Sequence, residues 1–134
     1  MARLLLDTNI CIYIAREKPP AVLAQFRRYQ RGDLAMSAVT FGELLYGAAK
    51  STQRERVREV LRELIAWVPA LPVDDGVSER YGALRATLEQ RGRPIGNNDL
   101  WIAAHALALG IPLVTNNERE FARVTALKVL NWAR

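Results

Sequence analysis

Apolar residues follow two rhythms along this chain. Short solid runs, Arg3 to Leu6, Leu34 to Val39, Leu71 to Val73, Pro112 to Thr115 and Leu127 to Leu130, read as buried strands. Helical spacing fills the intervals. Ile10 to Ala15 is apolar up to the Pro19-Pro20 stop, and Ala21 to about Gln30 sets Val22, Leu23 and Phe26 on one side. A helix from Thr40 runs through Leu44, Leu45 and Ala48. Another, about Gln53 to Trp67, carries Val57, Val60, Leu61, Leu64 and Ile65 on its apolar face. On its wet side Glu55→Arg58 and Glu59→Arg62 are spaced to pair. Val77, Tyr81, Leu84 and Leu88 mark a helix capped by Asp74 or Ser78 and stopped at Gly92. The last and most apolar runs from Asp99 to Leu109, closed by Gly110. Strands alternating with helices predict an α/β fold, a central parallel sheet of about five strands covered on both faces. No repeat, low-complexity tract or long linker divides residues 1–134, which are expected to form a single domain.

Composition narrows the chemistry. The net charge of +5 comes mostly from arginine, whose planar fork suits phosphate oxygens. A basic chain is compatible with nucleic acid or with an acidic protein partner. The single cysteine, Cys11, excludes an internal disulfide and a multi-cysteine zinc site, and reads as core. No uncharged stretch approaches the roughly 18 residues of a membrane span. The N-terminal apolar run is too short for a signal peptide. A soluble, cytoplasmic protein with no membrane partner is expected.

Three acids stand where a strand should end or a helix begin: Asp7, Glu43 and Asp99. Each has a local structural alternative. Asp7 could be an N-cap. Thr40-Phe41-Gly42-Glu43 matches a capping box. Asp99 could favour the positive end of its helix. Together they say more, because a parallel sheet gathers the carboxyl ends of its strands along one edge. Carboxylates meeting there would raise one another's pKa unless a divalent cation joined them. Thr8, Asn9, Ser37, Thr115, Asn116 and Asn117 can supply hydroxyl and amide partners around the acids.

The segments Leu-Leu-Asp-Thr-Asn, Ser-Ala-Val-Thr-Phe-Gly-Glu-Leu-Leu-Tyr-Gly, Asn-Asp-Leu-Trp-Ile-Ala-Ala-His-Ala and Leu-Val-Thr-Asn-Asn-Glu-Arg-Glu-Phe resemble, in order, the four motifs of PIN-domain ribonucleases. The nearest resemblance is to the VapC toxins of bacterial toxin–antitoxin pairs, and it spans essentially the whole chain. It implies a PIN-like three-layer α/β/α fold and a metal-dependent endoribonuclease that inhibits translation by cutting a structured or single-stranded RNA, often a tRNA. It also implies a homodimer, inhibited by a small antitoxin whose C-terminal segment covers the acidic site. DNA would be reached only through that antitoxin complex. The family's acids carry over to Asp7, Glu43 and Asp99. Its fourth position, commonly Asp, falls on Asn117. Glu118 and Glu120 flank Arg119 in what reads as a solvated turn, not as replacements for it.

Other chemistries lack their residues. One histidine cannot serve a two-histidine ribonuclease, and His105 lies about 240° around its helix from Asp99. It is expected to be packed or interfacial. No nucleophile triad or Gly-rich phosphate loop is present. A receiver-type domain would need a lysine better placed than Lys128, and an Asp-x-Asp phosphatase is contradicted by Asn9. What remains is metal-assisted hydrolysis: Asp7 and Asp99 would ligate Mg2+ or Mn2+, and Glu43 would orient the attacking water or hold a second ion. In-line attack would leave a 5′-phosphate and a 3′-hydroxyl. Arg16, Lys18, Arg91, Arg93 and Arg119 are candidates for contacting the RNA backbone. Trp101 would either stack a base or pack on a neighbour. A catalytically silent RNA- or protein-binding module of the same fold is the competing expectation, suggested by Asn117.

Overall fold

The computed structural model describes residues 1–134. Its elements are β1 (Leu4–Leu6), α1 (Thr8–Arg16), α2 (Pro20–Phe26), β2 (Leu34–Ser37), α3 (Ala38–Ala49), α4 (Arg54–Trp67), β3 (Ala70–Leu71), α5 (Asp75–Gln90), α6 (Asn97–Leu109), β4 (Leu113–Val114), α7 (Glu118–Phe121) and β5 (Val129–Leu130). All strand pairs are parallel, in the order β3-β2-β1-β4-β5. The central place of β1 follows from its composition: three consecutive leucines, all buried, need cover on both faces.

Alternation along β1 divides the core in two. Leu4 and Leu6 join Ile10, Ile14, Val22, Leu44, Leu61 and Leu64 on the face covered by α1 to α4. Leu5 points the other way, into a layer with Leu88, Leu100, Ile102, Ala103 and Phe121 from α5, α6 and α7. The result is three layers, helix, sheet and helix. Leu5 is wholly buried, and its truncation to alanine is expected to cost about 2–5 kcal/mol. Cys11 is buried in the first layer, where burial raises its thiol pKa and keeps it inert.

Several boundaries differ from the sequence reading. β2 ends at Ser37, and α3 begins at Ala38, two residues before Thr40. The capping box is therefore not formed: Ser37 is the cap, accepting from Val39 N–H at 3.1 Å, and Thr40 is buried inside the helix. α2 stops at Phe26, where the backbone tightens into bonds from Arg28 to Gln25 and from Tyr29 to Phe26. α6 starts at Asn97. Asp74 caps α5 by accepting from Val77 N–H at 3.0 Å, and Gly110, at φ 69°, closes α6. The segment read as a solvated turn is a short helix, α7. Neither Glu55–Arg58 nor Glu59–Arg62 closes an ion pair; the ion pairs present are Arg3–Asp33, Arg85–Glu89 and Arg134–Glu118. No helix is long and apolar enough to cross a membrane.

Candidate active site

The carboxyl ends of the central strands open along one edge, where Glu43 of α3 and Asp99 of α6 act on Asp7 and Glu120 of α7 lies beside Asp99. Asp7 leaves β1 and caps α1, its Oδ1 accepting from Ile10 N–H at 3.0 Å. Its Oδ2 accepts a short hydrogen bond from the Thr115 hydroxyl at the end of β4. With 4% of its surface exposed, Asp7 pays the desolvation penalty of a buried carboxylate, which lifts its pKa to about 6. The bonds from Thr115 and Ile10 pull against that rise, and the charge of Glu43 adds to it.

Glu43 is held from two sides. Its Oε1 accepts from the Thr8 hydroxyl at 2.5 Å and its Oε2 from Asn98 Nδ2 at 3.2 Å. Both partners are remote in sequence, so Glu43 serves the tertiary site and not its own helix end.

Asp99 and Glu120 lie carboxyl to carboxyl. Burial, the hydrogen bond to Glu120 and the charges of Glu120, Asp7 and Glu43 together raise Asp99 to about 8. The same hydrogen bond lowers Glu120, helped by donors from Gly96 N–H at 2.9 Å and Asn117 Nδ2 at 2.8 Å. Of the two carboxyls, Asp99 is therefore the one that favours its protonated form. A Cβ at Gly96 would sit 3.8 Å from Glu120 Oε1 and 3.9 Å from Asp99 Oδ2, so both carboxylates close around that glycine.

Glu120 is the residue that sequence reasoning missed. The four-residue α7 is too short to carry a periodic signal, and only the helical offset from Asn117 to Glu120 would have pointed to it. Asn117 is not an empty fourth position: it fixes Glu120, and its backbone N–H is bonded to Thr115 Oγ1 at 2.9 Å.

The other candidates sort by contact. Thr8 and Thr115 bond directly to acids. Asn9 contributes its backbone N–H to Asp7, while its side chain is exposed. Ser37 departs from expectation: it caps α3 and is joined at 2.8 Å to His105 Nδ1, so it touches no acid. His105 is buried, which lowers its pKa and keeps the ring neutral. Asn116 also turns away, to Tyr13 and Asn131. Trp101 is stacked on Tyr81, with centroids 3.7 Å apart, and so packs on a neighbour. Arg16, Lys18, Arg91, Arg93 and Arg119 are exposed, and none closes an ion pair. Arg16 alone of the five lines the groove described next.

That groove, of about 1190 Å³, runs from Thr8, Asn9, Glu43 and Asn98 at the acids along α1, α3 and α4. Ile12, Val39, Val57 and Val60 give it an apolar floor; Arg16, Lys50 and Arg56 add positive charge.

No arginine or lysine pairs with Asp7, Glu43, Asp99 or Glu120. Nor do three acidic, imidazole or thiol side chains converge as a finished ligand shell. The donor set is nonetheless all oxygen, anionic and rich in neutral hydroxyl and amide supports. Such a set fits a hard divalent cation that retains several waters of its own.

A parallel five-stranded sheet with acids gathered at its carboxyl edge defines a class of protein, and comparison identifies it. A family model described as the PIN domain matches residues 4–127. The chain belongs to the PIN-domain family and, within it, to the VapC proteins. It is 41% identical to the tRNA(fMet)-specific endonuclease VapC of Shigella flexneri, covering 99% of this chain and 100% of that one. It is 39% identical to ribonuclease VapC2 of Haemophilus influenzae, over 98% of this chain and 99% of that one. The DNA-bound VapBC structure from Salmonella typhimurium superposes with a TM-score of 0.93 at 36% identity, covering 98% of this chain and 99% of the other.

Proposed function

We propose that residues 1–134 act as a single metal-dependent endoribonuclease domain, the toxin of a toxin–antitoxin pair. The carrying observation is the buried Asp7, raised in pKa and within reach of the charges of Asp99 and Glu43, with no ion pair closed on any acid of the site. Asp7 and Asp99 would hold Mg2+ or Mn2+, directly or through water, with Glu120 adding negative charge beside Asp99. Bound there, the cation lowers the pKa of water and screens charge on the phosphate in an in-line displacement.

The chain's own side chains set the geometry. Thr115 and the Ile10 N–H fix both oxygens of Asp7, so it needs no reorganisation on ligation. Thr8 and Asn98 fix Glu43, whose carboxylate orients the attacking water. Asp99 would have to give up its proton to solvent before a cation could bind it, and Asn117 holds the ionised Glu120 beside it. Glu120 thus makes up the negative charge absent at Asn117. That removes the main motive for reading a catalytically silent module.

RNA is supported as substrate by the ribonuclease relatives and the positive balance of the chain. A tRNA is the specific class favoured by the name of the Shigella relative. The antitoxin reading draws on the complexed Salmonella relative and on the groove, whose apolar floor and open end at Glu43 suit an inhibitory peptide segment. DNA would be met through that antitoxin, with the toxin as a homodimer in the cytoplasm.

The test is RNA cleavage with defined ions. The wild type should cut with Mg2+ or Mn2+ and yield 5′-phosphate ends, while Asp7→Asn and Asp99→Asn fold normally and do not cut. Undiminished cleavage in excess EDTA overturns the proposal.

A further inference from the structure

On the α5–α6 side of the acids lies a separate recess of about 370 Å³. Leu88, Ile95 and Leu100 form apolar walls, and Arg85, Glu89 and Asn97 supply polar groups. Asn97 also lines the shallow cleft over Glu43 and Asp99, so one residue separates this recess from the acids. Its volume falls near the lower end of the roughly 300–1,000 Å³ usual for small-ligand pockets, which suits one nucleotide and not a folded RNA element.

The polar groups are tied into a chain. Arg85 Nε donates to Glu89 Oε2 at 3.0 Å, and Arg85 Nη1 donates to the Tyr81 hydroxyl at 3.0 Å. That hydroxyl donates to Asn97 Oδ1 at 2.5 Å. Tyr81 is itself clamped against Trp101, 9° from coplanar. Arg85 Nη2, Asn97 Nδ2 and Glu89 Oε1 are left without protein partners in this chain of bonds. Two donors and one anionic acceptor are thereby preset around an apolar-walled recess.

We propose that this recess reads a guanine next to the cleaved bond, an inference that rests on the ribonuclease function above. A carboxylate in the rim opposes phosphate, so the recess is suited to a base. Guanine alone among RNA bases sets two adjacent acceptors, O6 and N7, beside two adjacent N–H donors, N1 and N2. Arginine and amide donors match the first pair. Glu89 matches the second. Sequence-specific reading of RNA works on unstacked bases, and a base splayed from the strand would settle on Ile95, over the covered edges of Leu88 and Leu100. An exposed Arg85–Glu89 pair would by itself contribute little to stability. Its fixed attachment to Asn97, at the border of the acids, is what marks it for recognition.

The experiment uses guanosine and adenosine monophosphates as probes on the full chain, followed by ligand NMR line broadening, which needs no turnover. Guanosine monophosphate is expected to bind about tenfold more tightly than adenosine monophosphate, and Glu89→Ala or Arg85→Gln should abolish the difference. In parallel, cut sites in a randomised RNA should be enriched in guanine at one flanking position for the wild type. Guanine selectivity without any RNA cleavage overturns the ribonuclease reading and leaves the recess assignment standing. Cleavage with no guanine preference, equal binding of the two nucleotides, or selectivity that survives both substitutions overturns the recess assignment.

Discussion

Neighbouring strands β1 and β2 end in the same way and lead to different chemistry. Leu6 pairs with Met36, so the next residues, Asp7 just past β1 and Ser37 at the last position of β2, lie side by side. Each caps the helix that follows, Asp7 through Ile10 N–H and Ser37 through Val39 N–H. Each is buried and bonded to a second polar residue from another element, Asp7 to Thr115 and Ser37 to His105. Ser37 and His105 form a neutral pair with nothing left to satisfy. Asp7 carries a charge that its donors only partly offset, and two more acids, Glu43 and Asp99, act on it. The same local motif leaves Ser37 satisfied and Asp7 with an uncompensated charge because of one formal charge.

Neutralising Asp7 should have the largest effect. In Asp7→Asn the amide can still cap α1. Cleavage should nevertheless fall by about 10³-fold or more, equivalent to roughly 4 kcal/mol of transition-state stabilisation. Steady-state cleavage of a defined RNA in Mn2+ measures this. Activity within tenfold of wild type would make Asp7 a cap and nothing more, like Ser37.

The next effect is on stability. Burial lifts the Asp7 pKa to about 6 in the fold, from about 3.8 for a free aspartate side chain, so folding favours its protonated form. That contribution is complete below about pH 4 and is lost as pH rises through 6; Asp99 extends the loss towards pH 8. Glu120 acts in the opposite sense, losing its contribution as pH falls through its lowered pKa. Thermal melts in chelator should therefore be less stable at pH 8 than at pH 5, with Asp7 alone accounting for about 1.4 kcal/mol of that difference. Mn2+ at about 100 times its Kd should restore about 2.7 kcal/mol at pH 8 and much less at pH 5, where protons compete. Asp7→Asn should melt higher than wild type at pH 8 in chelator. A flat pH profile for the wild type would remove the uncompensated charge from the comparison.

Thr115 tests how the charge is held. In Thr115→Val, Asp7 Oδ2 loses its hydroxyl donor while its connection to Ile10 survives. Supports of this kind typically matter by about 10–100-fold in metal affinity or activity, and a titration of Mn2+-dependent cleavage would register the change in half-saturating metal. An unchanged half-saturation point would assign Thr115 to β4 structure alone.

Much of this arrangement was legible in the sequence, for identifiable reasons. Three consecutive leucines placed β1 at the centre, and Gly110 marked the end of α6, because burial and left-handed backbone leave strong local signatures. Asp7, Glu43 and Asp99 could be grouped because a parallel sheet collects its strand ends. The misreadings share a cause too. The Thr40–Glu43 spacing satisfied a capping rule that Ser37 had already met three residues earlier. Glu120 was hidden because its role comes from contacts with Gly96 and Asp99, more than 20 residues away, and from a helix of a single turn. Ser37 could not be separated from Thr8 or Thr115 by residue type, since all three are hydroxyl side chains beside a strand end or helix start. Only their partners distinguish them.

Ser37 therefore gives the smallest and most discriminating test. Ser37→Ala removes the bond to Val39 N–H and leaves His105 Nδ1 buried beside a methyl group. A lost cap and an unpaired polar atom should together lower stability by about 1–2 kcal/mol. Because His105 is neutral and no acid touches Ser37, cleavage at a temperature where the variant stays folded should remain within about threefold of wild type. Asp7→Asn is expected to do the reverse at pH 8 in chelator, gaining stability and losing cleavage. If Ser37→Ala instead lost cleavage while keeping its melting temperature, the polar pair at the end of β2 would belong to the reacting site. The contrast between the two strand ends would then rest on distance from the RNA and not on charge.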